Sequence, residues 1–449
     1  MLEGGDLKFT TDTIDSPETG TFSTPSFPAG EKLPTPSEKD TTPEKKESHE
    51  TIRITEKEFY LQHYQAIADR RNTPSFKKLL FSEESGVPHK VTAEEVEAEF
   101  EKLKQEDLER RKSPEYQEWA RRRKIVIDHF KAKKNDPEGE GKKYRIAIFG
   151  CGGGMRGRAG GAQAAGFNEV GLTAEYVDWL GGISAGIADL VYYAGGKLHT
   201  LRGLSIYYTQ CATKAFINLT RFLHVLKATV VGDAMTEGPV AVDQEALRKG
   251  RPKIFAGIVP RNDPTAPVEF ADIMTARPNM IAPVVASMNV PILFAPGIEV
   301  NTGGLNIQYQ DGAFGQLPIE EIIELSQCTD VIILPQCSFQ TIKNFKRSGK
   351  WVEKLLPRSG SLGTVRKFIQ VADELRKMLD YFKEEKNVDV AMMWPPDRGG
   401  TTLNNDPDLS QIEIYDTIKD TIEQCEEELP KVIEMYLQTE GKYLQIVRE

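Results

Sequence analysis

Cysteine and histidine are scarce in this chain of 449 residues, and their placement excludes several kinds of site. The five cysteines are scattered and never spaced as Cys-x-x-Cys, which excludes a disulfide framework and a cysteine-based zinc cluster and fits a reducing compartment. No histidine follows His224. An α/β-hydrolase triad needs its histidine late in the chain, after both the nucleophile and the acid. A serine enzyme with this sequence would therefore need a different base.

The chain also lacks a basic surplus and an uninterrupted apolar run. Its 57 Lys and Arg stand against 67 Asp and Glu, and the formal net charge of -10 excludes a general nucleic-acid-binding protein. The uncharged stretch 279–298 contains Pro283, Pro291 and Pro296, each of which removes a helix hydrogen bond that lipid cannot replace. The first residues resemble no secretory signal. We predict no nucleic-acid partner, no membrane span and a cytoplasmic location.

Composition divides the chain into regions. Residues 1–54 contain too few apolar residues to offset chain entropy, which predicts a disordered tail. Residues 55–143 contain helix starts, among them Ser113 followed by Pro114, and predict a helical extension ending in a linker. From residue 144 onward, apolar strands alternate with helical patterns, which predicts an α/β fold with a largely parallel sheet. Strands are predicted at 144–149, 175–179, 253–259, 330–334 and 388–393, and helices at 184–194, 200–228, 317–327, 361–386 and 408–438.

Three motifs with chemical potential follow one another along the chain. The glycine-rich run 151–157 (CGGGMRG) comes directly after the first strand, where glycines let backbone N–H groups converge on an anion. The run 182–186 (GISAG) lies between a strand and an apolar helix, the setting of a nucleophile elbow around Ser184. The run 311–313 (DGA) is predicted to lie on a turn after residues 306–310. Only His199 and His224 follow Ser184, and neither leaves room for a preceding triad acid.

In this order, GGGxRG, GxSxG and DGA resemble the motifs of the patatin-like phospholipases, which are lipid acyl hydrolases with a Ser-Asp dyad. Residues 286–294 (ASMNVPILF) also resemble the small-residue segment before the family's catalytic aspartate. The resemblance covers residues 144–335 and implies a three-layer α/β/α catalytic core, which a helix-strand-helix region at 336–449 would complete. Cys151 departs from the family's usual aspartate, and Met288-Asn289 from its usual small residues.

The resemblance implies a role for each motif. Ser184 would be the nucleophile, Asp311 its base, and the backbone N–H groups of Gly152, Gly153 and Gly154 the oxyanion hole. Arg156, Gly157, Gly182, Gly186 and Gly312 would support the motifs. It implies hydrolysis of acyl esters in a phospholipid or acylglycerol during transient contact with a lipid surface, with no cofactor and no metal.

Other interpretations of the same residues stay open at this stage. The same dyad could transfer the acyl group to an alcohol instead of water. Gly152, Gly154 and Gly157 also fit the GxGxxG pattern of a dinucleotide-binding loop, with Asp178 as the ribose-binding acid. Arg156 could bind a phosphate headgroup or pair with a structural carboxylate. The basic run 121–124 is more typical of a solvated helix face than of a surface for anionic membranes.

Overall fold

The computed structural model describes the part of the chain that contains the three motifs. The described residues are 51–55, 94, 98, 102, 105, 108–207, 247–248, 252–263, 266–276, 280, 282–290, 297–302, 305–315, 319–338, 379–396, 407–427, 432–437 and 442–447. The predicted tail up to residue 50, and the parts of the predicted helices at 208–228 and 361–378, lie outside these residues.

Eleven strands are described. They are β1 (Thr51–Thr55), β2 (Ile146–Gly150), β3 (Trp179–Ile183), β4 (Lys253–Pro260), β5 (Glu269–Asp272), β6 (Ile298–Thr302), β7 (Leu305–Asp311), β8 (Asp330–Leu334), β9 (Asp389–Met392), β10 (Val432–Leu437) and β11 (Lys442–Val447). The main sheet has eight strands in the order β6-β7-β4-β3-β2-β8-β9, with β5 also paired to β4. Strands β4, β3, β2, β8 and β9 are parallel neighbours, whereas β5, β6 and β7 pair in antiparallel fashion. The fold is therefore α/β, with a mixed, largely parallel open sheet.

Helices alternate with these strands. They are α1 (Pro114–Asn135), α2 (Gly157–Glu169), α3 (Ala185–Ala194), α4 (Lys197–Ser205), α5 (Ala282–Met288), α6 (Ile319–Ser326) and α7 (Pro407–Gln424), and residues 379–386 are also helical. The predicted start of α1 is confirmed: the Ser113 hydroxyl accepts the Tyr116 N–H at 3.2 Å, and Pro114 occupies the first helical position. No helix within the described ranges combines the length and apolarity needed to cross a bilayer.

Alternate residues of the strands enter hydrophobic clusters on opposite faces of the sheet. In β2, Ile146 and Ile148 pack with α2 and α3, whereas Ala147 and Phe149 pack with α6 and residues 379–382. Both faces of β2 are fully buried, which explains its continuous apolar sequence. Helix α1 contributes Trp119 to one cluster and Val126, Ile127 and Phe130 to the other, so the carboxyl-terminal part of the predicted extension belongs to the core.

The basic residues of α1 pair with the protein's own carboxylates. Arg122 binds Glu118 at 2.7 Å and also pairs with Asp380, which precedes β9. Lys124 pairs with Glu426 just after α7, and the buried Lys133 pairs with Asp178 before β3. These contacts favour a role in attaching α1 to the sheet and to α7 over attraction to an anionic membrane.

Two predicted elements differ from the structure. The predicted strand at 175–179 is wrong, because residues 174–176 form a 3-10 turn and the strand is Trp179–Ile183. Within this strand, Gly181 leaves room for the Trp179 ring. The predicted helix at 408–438 ends at Gln424, and residues 432–437 form β10. The β-branched and aromatic residues after Pro430 favour a strand there. The predictions at 253–259, 330–334 and 388–393 are confirmed as β4, β8 and β9.

A separate three-stranded sheet joins segments from the two ends of the described chain. Strand β1 is parallel to β11, with Ile52 opposite Leu444 and Ile54 opposite Ile446, and β10 is antiparallel to β11. Four residues of β1 fall within the segment 1–54 that composition predicts to be disordered. Local composition misses this strand because its pairing partners lie almost a whole chain length away.

Candidate active site

Strand register brings Ser184 and Asp311 together although they are far apart in the sequence. Ser184 directly follows β3, whose last residue, Ile183, lies opposite Gly257 of β4. The next residue of β4, Ile258, lies opposite Asp311 at the end of β7. A single strand therefore separates the two backbones. The site lies towards the carboxyl ends of the parallel strands, which is where open α/β sheets bind their ligands.

Ser184 adopts a backbone conformation that is rare for a residue with a side chain. Its φ is 54° and its ψ is -129°, and it directly precedes α3. Such a conformation costs about 1–3 kcal/mol and persists only where the surroundings enforce it. A Cβ on Gly182 would lie 2.7 Å from the Ile187 nitrogen, and one on Gly186 would lie 2.4 Å from the Gly150 carbonyl carbon. Both motif glycines therefore permit the sharp strand-to-helix turn of a nucleophile elbow.

The Ser184 hydroxyl lies within hydrogen-bonding reach of the Asp311 carboxylate and lowers its pKa. Both side chains are buried, with 6% of Ser184 and 1% of Asp311 exposed. The Ala313 N–H donates to Asp311 Oδ1 at 2.8 Å and so orients the carboxylate. Burial raises the pKa of Asp311 to about 7, although the bonds from Ala313 and Ser184 oppose this rise. A carboxylate with this pKa can accept a proton near neutral pH without an intervening histidine.

The glycine-rich loop passes next to the nucleophile. A Cβ built on Gly152 would lie 3.1 Å from the Ser184 Cβ. Within the described part of the chain, the N–H groups of Gly152 and Gly153 donate to no backbone carbonyl. Gly154 has a φ of 57° and begins a 3-10 turn that ends at Arg156, whose side chain is partly exposed. The loop thus lies next to Ser184, and in the described part of the chain the sheet does not use the N–H groups of Gly152 and Gly153.

Two further motif glycines allow close packing around the dyad. A Cβ on Gly157 would lie 2.1 Å from the Tyr207 hydroxyl oxygen and 2.6 Å from the Ala185 Cβ. A Cβ on Gly312 would lie 2.3 Å from the Gly257 carbonyl oxygen. The first glycine keeps α2 against the start of α3, and the second keeps the Asp311 turn against β4.

A buried polar group that the motifs do not include lies beneath the loop. Asp189 of α3 accepts a hydrogen bond from the Tyr207 hydroxyl at 2.9 Å, and burial raises its pKa well above the ordinary value. Gln336 follows β8, and its Oε1 accepts the Gly160 N–H at 3.0 Å. A Cβ on Gly153 would lie 2.4 Å from the Gln336 Cβ, so this side chain supports the loop. The only sequence signal for this group is an aspartate within the apolar helix α3.

Asp178 lies at the other end of the sheet from the glycine loop. It directly precedes β3, accepts the Ile146 N–H at 2.7 Å and pairs with Lys133. Because β2 and β3 are parallel neighbours, the start of β3 and the loop after β2 lie at opposite ends of these strands. Asp178 is therefore not placed to bind the ribose of a nucleotide on the glycine loop.

One group of side chains has the donor types of a metal site. His129, Asp330 and Asp389 each offer a ligand atom, and these atoms lie within 4.8 Å of one another. Protein partners already bind them: His129 Nδ1 lies 2.7 Å from Asp330 Oδ1, and Lys383 donates to Asp389 at 2.8 Å. Asp330 and Asp389 are the first residues of β8 and β9, at the strand ends opposite to Ser184. The bond from His129 to Asp330 attaches α1 to the sheet, so these side chains have a structural role without a metal ion.

Comparison with known proteins adds no further constraint on the site. No model of a protein family matches the chain, and the comparison with curated proteins found no match. The three motifs, their order and the contacts that they make are therefore what supports a function.

Proposed function

We propose that this protein is a lipid acyl hydrolase of the patatin-like type that cleaves acyl esters with the Ser184–Asp311 dyad. The observation that carries the proposal is a buried serine at a strained strand-to-helix turn that strand register brings within reach of a buried carboxylate. Structural serines in turns do not need a positive φ or a carboxylate with a raised pKa. Strain and pKa values shifted by burial are both typical of reactive groups.

The proposed acylation step uses Asp311 as the general base. Ser184 Oγ attacks the ester carbonyl carbon while its proton moves to the Asp311 carboxylate. The carbonyl oxygen becomes an oxyanion, which the N–H groups of the loop Gly152–Gly154 would stabilise by about 3 kcal/mol per donor. The bond to the leaving alcohol then breaks, and Asp311 returns the proton to that alcohol. The acyl group remains on Ser184 as an ester.

Deacylation repeats the same proton transfers with water. A water molecule gives a proton to Asp311 as its oxygen attacks the acyl carbonyl, and Ser184 Oγ leaves and takes the proton back. The free fatty acid is released and the dyad is restored. An alcohol in place of water would instead yield a new ester, so the acceptor alone distinguishes hydrolysis from acyl transfer.

The proposed substrate is a phospholipid or an acylglycerol, met at a lipid surface by a protein of the cytoplasm. This choice is supported by the motif likeness and by a glycine-rich loop in which the backbone N–H groups of Gly152 and Gly153 would bind the carbonyl oxygen of any acyl ester. We expect recognition to depend mainly on the acyl ester.

The proposal predicts release of fatty acid from lipid vesicles. We expect the wild type to hydrolyse phosphatidylcholine or diacylglycerol vesicles and to react covalently with a fluorophosphonate, which joins Ser184 Oγ to phosphorus and releases fluoride. Product analysis with and without an added lysolipid separates free fatty acid from transferred acyl chains. Failure both to label and to release or transfer acyl chains would overturn the proposal, and retention of NAD or FAD by the purified protein would favour a nucleotide-binding loop.

Gly152→Ala is expected to slow the reaction of Ser184. The new Cβ would lie 3.1 Å from the Ser184 Cβ, so the loop or the nucleophile must shift. Such a shift lowers the labelling rate constant about 10- to 100-fold. The matched control is Cys151→Ala, one residue earlier, whose side chain packs against a hydrophobic cluster and whose thiol pKa is raised to about 12 by burial. We expect the control to label at the wild-type rate, and equal rates in both variants would contradict the role of the loop.

A further inference from the structure

A buried serine holds the backbone of the nucleophile. Ser287 is fully buried, near the end of α5. Its hydroxyl oxygen accepts the Ser184 N–H at 2.9 Å, and the same hydroxyl donates to the Gly257 carbonyl at 2.6 Å. One side chain thus joins the strained turn after β3 to the strand β4 that separates the nucleophile from its base.

This contact answers a specific need of the turn. Ser184 follows the last paired residue of β3, so its N–H lies beyond the strand ladder, and its buried position calls for an acceptor within the protein. An unpaired buried N–H would favour relaxation of the turn towards an ordinary conformation. Ser287 removes that tendency because its oxygen lies where the N–H points.

The same short segment also holds the backbone of the base. The Asp311 N–H donates to the Asn289 carbonyl at 3.1 Å, and Asn289 lies two residues after Ser287. The Asn289 N–H donates in turn to the Ala286 carbonyl at 3.1 Å. The end of α5 therefore contacts Ser184 through one residue and Asp311 through another, and it fixes the two backbones relative to each other.

We propose that Ser287 is a positioning residue that sets the geometry of the Ser184–Asp311 pair by binding the Ser184 N–H. The inference rests on the proposed function and adds a residue to it. Ser287 is fully buried and cannot touch a substrate, so its loss should lower kcat and the labelling rate while KM stays unchanged.

The test compares Ser287→Ala with a matched serine elsewhere. Ser326 is 3% exposed, accepts the Cys328 N–H at 3.3 Å and donates to the Ile323 carbonyl at 3.3 Å, so Ser326→Ala removes the same pair of contacts at the end of α6. We expect Ser287→Ala to lower the fluorophosphonate rate constant and kcat about 10- to 100-fold, with KM within about twofold of the wild type. Ser326→Ala should lose similar thermal stability and keep full activity.

Two more variants keep the inference testable if the alanine variant unfolds. Ser287→Cys fills the space but accepts hydrogen bonds weakly, so it should fold and remain slow; Ser287→Thr restores the hydroxyl and should recover at least part of the rate. Wild-type rates in Ser287→Ala or Ser287→Cys would overturn the inference while leaving the proposed function intact. An equal loss of activity in Ser287→Ala and Ser326→Ala, in proportion to their loss of thermal stability, would overturn it as well. A wild type that neither labels nor hydrolyses esters would overturn both.

Discussion

Ser184→Ala is expected to abolish covalent labelling by a fluorophosphonate and to lower ester hydrolysis about 10,000-fold or more. The methyl group keeps the volume of the side chain but removes the atom that forms the acyl-enzyme. Intact-mass measurement gives the labelled fraction, and titration of released fatty acid gives the rate. Because alanine also lacks the hydroxyl donor, the Asp311 carboxylate loses one of its two hydrogen bonds.

The control for this prediction is Ser205→Ala. Ser205 is fully buried in α4 and donates to the Arg202 carbonyl at 2.7 Å, so its removal tests the loss of a buried hydroxyl away from the elbow. This variant should label and hydrolyse at the wild-type rate. Labelling of Ser184→Ala at the wild-type level would show that another residue reacts with the fluorophosphonate and would contradict the assignment of Ser184 as the nucleophile.

Asp311→Asn is expected to lower the labelling rate about 100- to 10,000-fold, the usual contribution of a general base. The amide has almost the same shape and can still accept the Ala313 N–H, but it cannot take the Ser184 proton. The wild type should also lose activity as pH falls, because Asp311 must be ionised and burial raises its pKa to about 7. We expect log kcat/KM to rise by about one per pH unit below pH 7 and to level off above it.

The same variant should be more stable than the wild type in alkaline solution. The pKa of Asp311 is about 7 in the folded protein against an ordinary value of 3.8, so the folded state binds more protons between these values. The free energy of unfolding of the wild type therefore falls as pH rises from about 4 to about 7 and stays lower above that range, by up to about 4 kcal/mol. Asparagine does not ionise and avoids this loss. Urea unfolding at pH 5 and pH 8 measures the difference.

A second buried carboxyl provides the control for Asp311→Asn. Asp330 is fully buried at the start of β8, and burial raises its pKa too. Asp330→Asn should alter stability through its contact with His129 while leaving the pH midpoint of activity unchanged. A wild-type rate in Asp311→Asn, or a wild-type profile with no midpoint near pH 7, would contradict the role of Asp311 as the base.

Only part of the turn at Ser184 has local determinants. Gly182 lies close to the Ile187 nitrogen within the same motif region, whereas Gly186 lies close to Gly150 of β2, a contact between distant segments that the motif does not reveal. The preceding strand, which contains Gly181 and Gly182, lies at Trp179–Ile183 and not at 175–179. In the fold they leave room for the Trp179 ring and for the backbone of α3, which depends on tertiary packing.

The contact between Ser184 and Asp311 could be expected only from the resemblance to a family. It depends on which residue of β4 faces Ile183 and which faces Asp311, and strand pairing between distant segments leaves no local pattern. The partners of Ser287 were beyond prediction for the same reason: a serine in a run of small residues gives no sign that its hydroxyl reaches a turn more than a hundred residues earlier.

The parallel pairing of β1 with β11 has a consequence for synthesis of the chain. Thr51–Thr55 leaves the ribosome long before Lys442–Val447 exists. At about 5 to 20 residues per second, translation of the intervening chain takes roughly 20 to 80 s. During that time β1 lacks its partner among the described strands, while the strands that carry Ser184 and Asp311 are already available to pair. Of the two described sheets, the small one is therefore the later to form, and a nascent chain needs its β1 segment shielded from other chains until β11 emerges.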